Sequence, residues 1–259
     1  MKTIKASYRI LNKEKINGAE LLRNIEVIGR TCYKSEKMMN NESAEKFVAT
    51  LIKNGHEAMI EHNSITVKFI CDRGVSHELV RHRLASFAQE STRYCNYSKD
   101  KFDNEITVIE PSFFDDDDKK MIVWLDSMYN AEKQYFKLLE LGATAQEARS
   151  VLPNSLKTEI VMTMNLREWR HFFKLRCAKA AHPQMRELTL PLLGEMINLI
   201  PVVFDDLINL LIDSSFEQFA SGLIKGINDG NNLTIRDDLV KSLTRLPHIP
   251  SFLRDKEVK

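Results

Sequence analysis

Apolar residues recur along the chain with two different periods, and their alternation marks out intermingled strands and helices. Ser64-Ile65-Thr66-Val67-Lys68-Phe69-Ile70-Cys71 sets Ile65, Val67 and Phe69 against Thr66 and Lys68, the two-residue period of a strand with one buried face. Lys157 to Met164 repeats it with Ile160, Met162 and Met164 on one side, and Ile106 to Ile109 forms a shorter run of the same kind. Helical spacing fills much of the rest. Ala19 to Arg30 carries Leu21, Leu22, Ile25 and Ile28, after a turn at Asn17-Gly18. Ser43 to Lys53 turns Phe47, Thr50 and Leu51 inward and ends at Asn54-Gly55. Beyond a turn at Asp72-Arg73-Gly74, Val75 to about Arg83 buries Val75, Leu79 and Val80, with Ser76 as a cap. Asp115 to Asp118 give a solvated, acidic start to a long amphipathic helix from Lys119 to about Leu141, closed by Gly142. Its stripe of Met121, Trp124, Leu125, Met128, Tyr129, Tyr135, Phe136 and Leu139 reads as core. Thr144 to Leu152 predicts a further helix, stopped by Pro153.

The strand from Lys157 runs into Asn165-Leu166-Arg167-Glu168, the form of a capping box, in which Asn165 caps a helix and Glu168 reaches back. In the helix that follows, Trp169, Phe172 and Phe173 make an apolar face, and Arg176 projects near its middle. An unpaired buried guanidinium costs several kcal/mol. Arg176 therefore either escapes to water at the helix end or meets an anionic or strongly polar partner, and a ligand is one such partner. Leu188 to Ile212 is a largely apolar run broken by Glu195, Asn198, Asp205 and Asp206, suited to core or interface helices rather than a membrane span.

Composition narrows the field by exclusion. The chain of 259 residues, 43% hydrophobic, can bury a substantial core, as one large domain or as two intimately packed ones. A formal net charge of +1 offers no global attraction to nucleic acid or to an acidic membrane, so anion recognition must be local. The four cysteines, Cys32, Cys71, Cys95 and Cys177, form no Cys-x-x-Cys pair and read as reduced thiols, not as a zinc site or a disulfide scaffold. The start lacks an apolar signal region, and a cytoplasmic location follows by elimination. Gly-x-Gly-x-x-Gly is absent, which argues against a dinucleotide-binding Rossmann domain.

Local chemistry is densest from Arg81 to Arg93, where Arg81, His82, Arg83, Ser86, Ser91 and Arg93 share one short window. Guanidinium groups present planar forks of donors and suit a phosphate. Interleaved Leu84, Ala85, Phe87 and Ala88 imply that part of the window is packed, although pairing with Glu78 and Glu90 on a surface helix would account for the charges alone. Upstream, His56-Glu57-Ala58-Met59-Ile60-Glu61-His62 suggests a zinc hydrolase, but Ile60 stands where the second histidine of His-Glu-x-x-His belongs, so no metal site is assigned. Two ordinary loop histidines explain it equally.

Arg81-His82-Arg83, seven residues, Ser91 and then Arg93 resemble the signature of the flavin-dependent thymidylate synthases. Further segments agree in order: Gly-His-Glu at His56 with Glu61-His62, Ala148-Arg149-x-Val151-Leu152-Pro153, and Asn165-x-Arg167 with His171 and Leu175-Arg176. Ala58, Glu78 and His182-Pro183-Gln184 depart from the commoner family residues. The resemblance implies an α+β fold with a mainly antiparallel sheet, one family-type domain over residues 1–259 with a polar C-terminal extension from about residue 227, and a homotetramer with shared active sites. It implies reductive methylation of deoxyuridine monophosphate (dUMP) to thymidine monophosphate (dTMP), with methylenetetrahydrofolate as carbon donor and FAD reduced by NADPH as hydride carrier. By the same resemblance Glu78, Arg81, Gln89, Glu90, Ser91, Thr92, Arg93, Arg149 and Arg176 serve the nucleotide, Arg176 also activating its base. His56, Arg81, His82, Arg83, Gln89, Asn165, Arg167 and His171 serve the flavin, with no nucleic acid or membrane as partner.

Overall fold

The computed structural model describes residues 1–99 and 102–214, and the C-terminal extension expected from about residue 227 lies outside them. The chain divides into two compact units: Met1–Leu11, Ile65–Met164 and Pro183–Leu188 form the first, while Asn12–Ser64, Asn165–His182 and the residues from Thr189 onward form the second. Helices and an antiparallel sheet are both present, as the α+β expectation required.

The first unit is built on strands. β1 (Lys2–Ile4) pairs in parallel with β5 (Thr107–Ile109). A separate four-stranded sheet has the order β2-β3-β6-β4, from β2 (Ser7–Ile10), β3 (Ser64–Asp72), β4 (Ala85–Gln89) and β6 (Lys157–Asn165), with β2–β3 and β4–β6 antiparallel. The inner strands keep the alternation of their sequences. Ile65, Val67, Phe69 and Cys71 of β3 and Thr158, Ile160, Met162 and Met164 of β6 are buried. On the other face Thr66 and Thr163 share a hydrogen bond between hydroxyls, 2.9 Å.

β4 was not foreseen as a strand. Its register sets Phe87 opposite Met162 and Gln89 opposite Ile160, yet its Ala-Ser-Phe-Ala-Gln sequence offers a single large apolar residue, too weak an alternation to read. As an edge strand it is half-buried at best. Ala88 is exposed, and so is Leu84 just before it, at 72%, so the packing expected of this window falls instead to His82, Thr92 and, in part, Phe87.

α3 spans Arg73–Leu79, shorter than expected, and its cap is Asp72, whose carboxylate accepts from the Val75 N–H at 2.5 Å; Ser76 is buried within the helix. Val80 lies past the helix end and is exposed. α4 (Asp118–Glu140) begins at the Asp117 cap, and Met128 and Tyr135 enter a core with Tyr97, Ile106, Val108, Ala148 and Leu156. Trp124, Phe136 and Leu139 pack against that core, whereas Tyr129 faces out. α5 (Ala145–Ala148) is one turn long, tied by the reciprocal Thr144–Glu147 capping box, and a 3-10 turn over Arg149–Val151 completes the segment.

The second unit is helical. Asn17 and Gly18 start α1 (Gly18–Tyr33) rather than making a free turn, because the Asn17 side chain accepts from the Glu20 N–H. α2 (Ser43–Lys53) occupies its expected span but buries Val48 and Leu51, leaving Thr50 exposed. The two helices pack so closely that a Cβ at Gly29 would come within 2.6 Å of the Phe47 ring. Gly55, at φ +72°, supplies the left-handed turn after α2. α6 (Leu166–Arg176) buries Trp169, Phe172 and Phe173, and the Phe173 ring meets Phe204 of α8 (Pro201–Phe204) at 5.9 Å between centroids. α7 (Pro183–Leu199) fulfils the core role expected of the apolar run, with Leu192, Leu193, Met196 and Ile197 buried. None of the described helices is long and apolar enough to cross a membrane.

Candidate active site

In the first unit the chemistry follows from the C-terminus of α3. The Arg81 N–H donates to the Glu78 carbonyl and the His82 N–H to that of Leu79, so the arginine signature opens in the helix's closing turns, where a cation also meets the negative end of the helix dipole. Arg81 and Arg83 are exposed, His82 between them is buried, and Glu78 is half-buried on α3.

β4 then delivers Gln89 and Glu90 to a tight turn. The Tyr94 and Cys95 N–H groups donate to the Ser91 carbonyl at 3.1 and 2.9 Å, and the Arg93 N–H donates to Ser91 Oγ at 3.3 Å. Thr92 is buried in this turn, and Arg149 Nη1 donates to its hydroxyl at 3.3 Å across 57 positions of sequence. The fold therefore gathers Ser91, Thr92, Arg93 and Arg149, with both arginines otherwise exposed to a ligand. Two guanidinium groups and two hydroxyls can neutralise and hydrogen-bond a phosphate dianion.

Gln89 and Glu90 face neighbours of their own. Gln89 Nε2 donates to Ser76 Oγ at 2.9 Å and Thr158 Oγ1 at 3.2 Å. The Glu90 carboxylate receives Lys157 Nζ at 3.0 Å and the Tyr97 hydroxyl at 3.4 Å. Burial opposes the charge of Lys157, but hydrogen bonds to Glu159 and Glu90 outweigh it and raise its pKa. Burial chiefly, then the Glu90 charge, push the Tyr97 phenol up, keeping it a neutral donor.

The second unit holds the remaining candidates. His56 lies just past α2, exposed, with Nδ1 3.4 Å from the Tyr33 hydroxyl. Glu57–His62 forms a 3-10 segment instead of an α-helix, so no helical face carries a His-Glu-x-x-His arrangement. Asn165 caps α6, its side chain accepting from the Glu168 N–H at 2.9 Å. Arg167 and His171, four residues apart, are exposed on one face of α6, and Arg167 Nη1 reaches Glu61 Oε1 at 2.5 Å. Arg176 is the last residue of the helix and is half-buried; its carbonyl accepts from Thr189 Oγ1 at 3.0 Å.

The fully buried guanidinium of α6 belongs to Arg170, 2% exposed, which sequence reasoning passed over. It forms a two-pronged pair with Asp206 at 2.6 and 2.8 Å, reaches Glu57 at 3.2 Å and donates to the Val203 carbonyl. The signal was present, since Arg170 lies three residues before Phe173 on the apolar side. Lys157 and Arg73 also drew no notice in the sequence, because the alternation of β6 and the turn expected at Asp72-Arg73-Gly74, where α3 in fact begins, account for their polarity.

A family model described as thymidylate synthase complementing protein matches residues 17–202. A protein of Geobacter sulfurreducens named flavin-dependent thymidylate synthase is 32% identical over 189 residues, 70% of this chain and 80% of its own length. One of the same name from Corynebacterium aurimucosum is 32% identical, covering 70% and 78% of the two chains, and one from Thermococcus kodakarensis is 36% identical, covering 61% and 64%. Among solved structures, the UMP/dUMP methylase PolB of Streptomyces cacaoi, bound with 5-Br dUMP, superposes with a TM-score of 0.66 at 19% identity, over 79% of this chain and 96% of that one, a likeness of fold. With a family match over most of its length and relatives above 30% identity that it covers by more than two thirds, the chain belongs to the thymidylate synthase complementing family, the flavin-dependent thymidylate synthases.

Proposed function

We propose that this protein methylates dUMP to dTMP for thymidylate biosynthesis, taking the carbon from methylenetetrahydrofolate and using FAD reduced by NADPH. The observation that carries the reading is the Arg149–Thr92 contact beside the Ser91 turn, which brings donors of two distant family segments together. Ser91, Thr92, Arg93 and Arg149 hold the nucleotide phosphate, with Glu78, Arg81, Gln89 and Glu90 around the rest of the substrate.

The donor set also suits a flavin dinucleotide. Exposed Arg81 and Arg83 supply cations for a diphosphate, and exposed His56, Arg167 and His171 supply further polar contacts, with His82, Gln89 and Asn165 supporting them. Bound FAD, reduced by NADPH, would supply the hydride. Arg176 stabilises the negative charge that develops on the pyrimidine and so makes carbon 5 more nucleophilic. This scheme requires no thiol nucleophile; of the four cysteines Cys71 and Cys177 are buried, burial pushing the Cys71 pKa up to about 12, while Cys95 is half-buried and Cys32 exposed.

The chain is one family-type domain, a reading supported by the family match over residues 17–202. The protein works as a homotetramer in the cytoplasm. Exposure of Leu84 within the signature and of Tyr94 just after it, at 72% and 78%, supports assembly through this region. The visible spectrum of the purified chain, repeated anaerobically with NADPH, with and without dUMP, tests the reading. Bound flavin that bleaches faster with dUMP, followed by dTMP formation once the folate is added, is the expected result. A chain that neither binds nor reduces FAD after reconstitution is not this enzyme.

A further inference from the structure

Glu90 is the last residue before the Ser91 turn, and each of its polar groups has a partner within the first unit. Its N–H donates to the Glu159 carbonyl at 2.9 Å, and its own carbonyl accepts from Arg73 Nη1 at 3.3 Å. Its two carboxylate oxygens take the Tyr97 hydroxyl and the Lys157 ammonium. Lys157 in turn bridges to Glu159 at 2.7 Å, and Glu159 also pairs with Lys68. The Glu90–Lys157 pair is mostly withdrawn from water, with side-chain exposures of 13% and 20%. Tyr97 follows the turn, and its N–H donates to the Tyr135 hydroxyl. The phosphate turn is thus clamped on both flanks, and the two clamps meet at the Glu90 carboxylate.

We infer that Lys157 is a positioning residue for the substrate phosphate, acting through Glu90 to hold Ser91, Thr92 and Arg93 in their binding arrangement. The inference rests on the dUMP reading above. A turn already held in place surrenders little freedom when the phosphate arrives. Lys157 also cancels a carboxylate that would otherwise stand unpaired next to a binding site for a dianion, where like charge costs affinity. Sequence pattern alone shows Lys157 as an ordinary polar position of β6. The network that it closes joins β4, β6, α3 and Tyr97.

The test compares dUMP with deoxyuridine, which lacks the phosphate, by calorimetric titration of the flavin-loaded full chain. Lys157→Met is expected to weaken dUMP by about tenfold while leaving deoxyuridine within about twofold, and Lys157→Arg to restore most of the phosphate contribution. Glu90→Gln combined with Lys157→Met removes the tether without stranding a buried charge, so it reports on the same question if the single variant does not fold. It too must lose most of the preference for dUMP. An unchanged preference in either variant, or an equal loss for both ligands, overturns the positioning role. A wild-type chain that binds deoxyuridine as tightly as dUMP overturns the phosphate-site reading itself, and the inference with it.

Discussion

Two arginines of α6 differ in their surroundings, and the proposed roles differ with them. Arg170 is committed to Asp206 and Glu57 inside the second unit, whereas Arg176 ends the helix in a half-buried position. Arg176→Ala is expected to keep its flavin but to lose dTMP formation by about 100-fold or more, the scale for deleting one preorganised donor to developing negative charge. Bound flavin per chain and single-turnover rates check this, and unchanged turnover removes Arg176 from the mechanism. Arg170→Met is expected to cost about 3 kcal/mol in urea denaturation, the low end for breaking a buried pair, because half-exposed Asp206 can be rehydrated. Burial opposes ionisation of Asp206, but the hydrogen bonds and charge of Arg170 prevail and hold its pKa below the ordinary 3.8. A carboxyl depressed in this way stabilises the fold at neutral pH and ceases to do so as pH falls through its folded value. Acid destabilisation below about pH 4 should therefore be shallower in Arg170→Met than in the wild type. The α6 periodicity drew attention to Arg176 but passed over Arg170, because sequence spacing ranks burial only by distance from large apolar neighbours. Asp206, 36 positions away, is what permits Arg170 inside.

At the level of elements, strong periodicity was legible and weak periodicity was not. β3, β6, α2 and α4 follow their apolar patterns to within a residue or two at each end. β4 escaped because pairing with β6, and not its own side chains, makes it a strand. The start of α3 moved for a similar reason: Asp72, read as a turn residue, is the cap. Asn165 raises the same ambiguity at the site, since a helix cap and a flavin contact ask for the same polar side chain. Asn165→Ala should lose about 1 kcal/mol of stability as the cap disappears. Asn165→Asp keeps the acceptor for the Glu168 N–H but removes the amide donors, so it should retain stability and bind FAD more weakly. Thermal unfolding and flavin titration of the two variants separate the roles, and wild-type flavin affinity in Asn165→Asp would leave Asn165 as a cap alone.

On the scale of the whole molecule, the order of the family segments was legible throughout, because each is a short run whose residues are fixed by chemistry. The division of the chain into two compact units was not, since strands and helices of both are interleaved along the sequence and no linker composition separates them. Assembly lies further beyond single-chain reasoning, and the proposed tetramer makes its prediction at the signature. Leu84 follows Arg81-His82-Arg83 and Tyr94 closes the Ser91 turn, and both are largely exposed beside groups assigned to ligands. A lone exposed leucine is ordinary; two large apolar residues flanking a charged site suit contact with another copy of the chain. Leu84→Glu would place a charge in such a contact at little cost to the fold of the protomer, where this residue is solvent-exposed. Sedimentation should therefore show a wild-type tetramer and a shift of Leu84→Glu toward smaller species, with unchanged secondary structure and a parallel loss of dTMP formation. A wild-type chain that is fully active as a monomer would confine the site to one chain, and Leu84 would then be only an exposed side chain on an edge strand's approach.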